Sequence, residues 1–159
     1  MKKYFAKEKI ICYISAVAGL LGLFFFFFPF LYSLESKTGK PVFISGFQML
    51  SLMEDSYNAL HYAVVLFLIG YVFSGMLFLS GAIGSFVRKE YLKPFFAINM
   101  LLQLVQFGCE LAAVILFSGL SSMNLYLEFG SFVSVAFKGI ALCASIGATI
   151  YLKLNSKNS

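Results

Sequence analysis

The chain has 159 residues, 60% of them hydrophobic and 12% charged, with a net charge of +5. A soluble domain carries about 45–50% apolar and about 25% charged residues, so a water-soluble fold of this size is excluded. One integral membrane domain covering residues 1–159 is expected instead.

Four segments approach the roughly 20 apolar residues needed to cross a hydrocarbon core of about 30 Å: Ile10–Tyr32, Tyr62–Phe86, Phe95–Ser118 and Ser131–Leu154. A closed β-barrel would show alternating segments of about ten residues, and "LFFFFFPF" does not alternate. The expected fold is an all-α integral membrane protein. It has four transmembrane helices in an antiparallel up-down bundle and a short amphipathic helix in the first external loop.

The first segment follows Lys2, Lys3, Lys7 and Lys9. Its apolar run exceeds the usual 7–15 residues of a signal peptide, and "FPFLYSLES" holds no small-x-small cleavage pattern. An uncleaved anchor is expected, with the five phenylalanines at 24–28 as lipid-facing bulk and Pro29 near the outer end. Residues 33–61 form the longest connection. Ser45 and Gln48 have capping-box spacing. Phe47, Leu50, Met53 and Tyr57 then recur at threes and fours, which predicts the short amphipathic helix. A tight turn at 87–94 follows the second segment, and Pro94 suits the first turn of the third helix. The second external loop, 119–130, is partly apolar, and Leu125, Tyr126, Leu127 and Phe129 are expected at the headgroup boundary.

Nine of the twelve basic residues fall on one predicted side: the four N-terminal lysines, Arg88, Lys89 and Lys93, and Lys153 and Lys157. Only Lys37 and Lys40 fall on the other, with Glu35, Glu54, Asp55 and Glu128. The positive-inside tendency then puts both termini in the cytoplasm of a multi-pass protein of the cell membrane. The asymmetry accounts for the net charge without a nucleic-acid partner.

One polar pattern lies inside the apolar runs. In the third segment Asn99, Gln103, Gln106 and Glu110 recur at four, three and four, which is one helix face. The fourth segment repeats the spacing with Ser134, Lys138, Ala141, Ser145 and Ala148. Small residues that permit close approach mark the first and second segments: Ser15, Gly19 and Gly22, then Gly70, Ser74 and Gly81. At 1.5 Å per residue Glu110 lies about 12 Å below the outer end of its helix and Lys138 about 10.5 Å below the same surface. The expectation is an intramembrane pair, Glu110 with Lys138, within a polar stripe of Asn99, Gln103, Gln106, Ser134 and Ser145. The alternatives are that Lys138 snorkels alone, that Glu110 is protonated and bonded to Gln106 or a backbone carbonyl, and that the amides act only as interhelical glue.

No Walker loop, dinucleotide fingerprint or C-x-x-C is present. Cys12, Cys109 and Cys143 all fall in predicted spans and read as buried free thiols. His61 is the only histidine, so no metal site or cofactor is expected. A triad would need His61 with Asp55, six residues apart. The four-span plan, with a longer first external loop and a shorter second, is similar to the general plan of claudins and tetraspan proteins. The resemblance implies topology only, because their disulfide-forming external cysteines are absent.

The functional expectation is a non-catalytic accessory, assembly or scaffold role in a membrane complex. The partners would be the lipid bilayer and a membrane protein or further copies of the chain. The alternative is a transport or sensing module with a small polar cavity lined by the third and fourth helices; the sequence names no small-molecule ligand. A third class is an intramembrane enzyme with His61, Asp55 and Glu54 at the outer rim.

Overall fold

The computed structural model describes residues 9–34, 40–49, 58–88, 91–119 and 125–157. Within them the chain runs α1 (Ile10–Phe25), β1 (Pro29–Leu34), β2 (Pro41–Ser45), α2 (Asn58–Phe86), α3 (Leu92–Ser118), β3 (Leu125–Leu127) and α4 (Phe129–Lys157). Three of the helices are long and apolar enough to cross a membrane: Leu60–Phe86, Leu92–Ser118 and Phe129–Lys153.

The first helix is shorter than its apolar run. It has 16 residues, about 24 Å at 1.5 Å per residue. The expectation of one helix through Tyr32 is therefore corrected. The cause is Pro29, which lacks an N–H and biases the residue before it away from helical torsions. The chain leaves α1 by tightening: Phe26, Phe27 and Phe28 donate to the carbonyls of Leu23, Phe24 and Phe25, each three residues back. Pro29 then opens a strand.

That strand is the centre of a three-stranded antiparallel sheet ordered β2-β1-β3. The sheet replaces the loops expected on both sides of it. Leu125, Tyr126 and Leu127 form its third strand. Period-two alternation sorts its residues. Leu31 pairs with Ile44 and Leu127, and these three pack on the main apolar cluster. Tyr32 pairs with Phe43 and Tyr126 on the other face, its ring stacked on Tyr126 at 5.2 Å. After β2, Ser45 and Gln48 make reciprocal capping contacts: Ser45 N–H donates to Gln48 Oε1 at 2.9 Å and Gln48 N–H to Ser45 Oγ at 3.4 Å. Leu50, Met53 and Tyr57 of the expected amphipathic helix lie outside the described residues, as do Glu54 and Asp55.

In the bundle α2 lies along both α1 and α3, while α4 meets α1 and α3 over less extensive contacts. The α1–α2 crossing depends on Gly19. A Cβ there would collide with Phe78 N and sit 2.6 Å from Ser74 O. A glycine is thus required for two backbones to touch, which is the main packing resource among apolar helices. Lys9 ties the start of α1 to the end of α2 by donating from Nζ to Ser85 O at 2.5 Å. The main apolar cluster lies at the sheet end and includes Phe30, Leu31, Phe67, Tyr71, Val114 and Phe117. Phe30 sits 4.1 Å from Phe67 and 6.1 Å from Phe117, ring centre to ring centre.

Candidate functional site: the buried polar column

The polar face of α3 turns inward along its whole length. Asn99, Gln103, Gln106 and Glu110 are all at most 3% exposed. The opposite residues Leu101, Leu104, Leu111 and Ile115 are exposed. Asn99 and Glu110 stand eleven positions apart, about 16.5 Å of helix. Each polar group reaches a different neighbour.

At the sheet end Glu110 forms an ion pair with Lys138 through Oε2. Its Oε1 accepts from Ser134 Oγ at 2.6 Å. The Lys138 ammonium also lies 4.9 Å from the centre of the Tyr71 ring, a cation–π distance. Tyr71 is itself held between Phe26 and Phe67, each ring centre 4.6 Å away. Glu110, Lys138, Ser134 and Tyr71 are all buried, and Tyr71 links them to the apolar cluster that holds Phe30, Phe67 and Phe117.

One turn further along, Gln106 Nε2 donates to Ser74 Oγ on α2 at 2.6 Å. Ser74 passes its own proton to Gly70 O at 3.1 Å. Gly22 leaves space for this bond, since a Cβ there would fall 2.8 Å from Gln106 Nε2. Below it Gln103 Nε2 donates to Ser15 Oγ on α1 at 2.9 Å. Last comes Asn99, whose Nδ2 lies 3.9 Å from Cys12 Sγ, a weak acceptor. On α4 Ser134, Lys138, Ala141 and Ser145 are all buried, at the spacing of one helix face. The structure thus brings Glu110, Lys138 and Ser134 into contact. It sends Gln106 to α2 and Gln103 and Asn99 to α1.

Comparison with protein-family models, with curated proteins and with solved structures finds no match.

Tyr71 and Cys12 were not legible as members of the column. Tyr71 reads as one more aromatic in an apolar run, and only the fold sets it over the ammonium. Of the three thiols expected to be buried, Cys12 is; Cys109 is half-buried and Cys143 is exposed on α4. The difference follows from helix phase: position 143 is five residues past Lys138, which turns it away from the inward face at 100° per residue. His61 is half-buried near the start of α2, its ring 6.2 Å from that of Tyr62. Among the described residues no three His, Cys, Asp or Glu side chains cluster as metal ligands would.

Proposed function

We propose that the chain crosses the cell membrane four times, with both termini in the cytoplasm, and serves as a non-catalytic accessory, assembly or scaffold subunit. In this reading α1 crosses as the shortest helix, extended by the turn of phenylalanines that follows it. The sheet then covers the outer end. The observation that carries the role is the distribution of bonds from α3. Gln103 goes to α1, Gln106 to α2 and Glu110 to α4, so the polar groups hold four helices together. Interhelical bonds of this kind are worth about 0.6 kcal/mol on average. Their outer surfaces keep Leu104, Ile115, Phe132, Ile140 and Ile150 exposed, which suits lipid or another membrane protein.

Affinity purification of the full chain from its own membranes in mild detergent, followed by native mass measurement, tests the role. The expected outcome is a stoichiometric membrane-protein partner or a defined oligomer. Recovery of the chain only as a monomer would overturn it.

A second reading, a transport or sensing module, draws support from polar atoms in the column that lack partners, among them Asn99 Oδ1 and Gln103 Oε1. It predicts that Glu110→Gln with Lys138→Met abolishes flux or signalling while the bundle still folds.

A further inference from the structure

Away from the ion pair, three buried polar atoms have no hydrogen-bond partner among the described residues: Asn99 Oδ1, Gln103 Oε1 and Ser145 Oγ. The residues that bear them are 0%, 3% and 0% exposed. Exchanging the oxygen and nitrogen of either amide does not remove the deficit. Ser15 can engage only one end of Gln103, and Cys12 only one end of Asn99, so one polar atom of each amide stays free. Buried polar groups are paired in the great majority of cases, and an exception calls for a physical account, such as a bound water or ion.

Register brings the three together. The ion-pair cluster sets α3 and α4 antiparallel, with Glu110 touching both Ser134 and Lys138. Seven residues back from Glu110 is Gln103, and seven forward from Lys138 is Ser145. Eleven back from Glu110 is Asn99, and eleven forward from Ser134 is again Ser145. Ser145 therefore stands level with the interval between the two amides. Both amides donate toward α1, to Ser15 and Cys12, and Ala18 of α1, Leu102 of α3 and Ala141 of α4 pack in one cluster close by, so the three helices meet near this level. The fit of α4 on α1 is also loose nearby. An apolar cleft of about 330 Å³ opens between them, flanked by Ile14, Ala18, Phe137 and Ala141. Ala18 lies three residues from Ser15 and Ala141 four from Ser145.

The chemistry selects the occupant. The three groups are neutral, and the carboxylate in the column is already committed to Lys138. A bare cation would enter without a counter-charge, which is costly in an apolar interior. A neutral molecule that donates twice and accepts once satisfies two amide oxygens and a hydroxyl together. We propose that the α1–α3–α4 junction binds a structural water that donates to Asn99 Oδ1 and Gln103 Oε1 and accepts from the Ser145 hydroxyl. Three hydrogen bonds is the usual complement of a buried water. The site joins α4 to α3 a second time, about 10.5 Å from the ion pair along the helix axis. It stands whether the protein is an accessory subunit or a transporter.

Water-edited solid-state NMR on the full chain in phosphatidylcholine–phosphatidylglycerol bilayers tests it. Polarisation from water should reach the side chains of Asn99, Gln103 and Ser145 several-fold faster than that of Leu77, which is 0% exposed in an apolar setting. Ser145→Ala should slow transfer to Gln103 several-fold while the Glu110 and Lys138 resonances stay in place. Transfer to both amides as slow as to Leu77 in the unmodified chain would overturn the proposal. So would transfer that Ser145→Ala leaves unchanged, or transfer arising from lipid acyl protons rather than from water.

Discussion

At the sheet end of the column Glu110 meets Lys138 and Ser134, and Tyr71 beside the ammonium belongs to the apolar cluster of Phe30, Phe67 and Phe117. Eleven residues earlier on the same face, Asn99 has a thiol at 3.9 Å and a free carbonyl oxygen. One helix stripe thus carries two kinds of interior. The first is closed: opposite charges, a hydroxyl and an aromatic ring face one another, and all of them are buried. The second is open in its hydrogen bonding, lined by neutral groups and bordered by a loosely fitted α4. The difference shows that a polar stripe among apolar helices is not one interaction repeated. A buried charge demands an opposite charge beside it, whereas a neutral amide is satisfied by any small neutral group that donates to its oxygen.

The largest effect should come from breaking the closed end. Lys138→Met leaves a buried carboxylate without its counter-charge and should cost about 3–5 kcal/mol, read by SDS-titrated unfolding in mixed micelles with far-UV circular dichroism. Adding Glu110→Gln should restore most of that loss. A double variant no more stable than the single one would refute the view of the pair as a matched unit.

Thinning the adjacent apolar cluster comes next. Phe30→Ala should cost up to about 3–5 kcal/mol, the range for a buried aromatic truncation. It should also make stability fall with added salt, because an ion pair that water reaches is screened. A stability independent of salt would show that other groups enclose the pair.

At the opposite end the changes should be smaller. Gln103→Leu removes the bond to Ser15 and an oxygen without a side-chain or backbone partner, and should cost about 0.6–1.7 kcal/mol, from the mean to the largest value for interhelical bonds in a membrane bundle. Ser145→Ala should be the mildest, below about 1 kcal/mol on the same basis. Either change matching Lys138→Met would erase the contrast between the two ends.

Part of this site was legible in advance, for a local reason. Asn99, Gln103, Gln106 and Glu110 share a face because the helical period alone puts them there. The level of Glu110 against Lys138 follows from antiparallel helices of known rise joined by a short link. The termination of α1 was missed, because the length of the apolar run outweighed the signal of Pro29. The sheet was missed as well: β1 lies inside the apolar run read as a span, and its pairing with β3 joins Leu31 to Leu127 across nearly a hundred residues. Strand partners so far apart have no local periodic signature. Tyr71 went unread for a similar reason: an aromatic ring announces burial, and only a neighbouring helix decides that it faces an ammonium.

By itself the sequence determined the membrane class, the helical period and which face of α3 and α4 is polar, since composition and spacing act locally along a chain. Tertiary structure alone decided which helix each amide bonds, how the strands cap the bundle, and which polar atoms are left over. Those outcomes depend on distances between segments, and such distances exist only once the helices have packed.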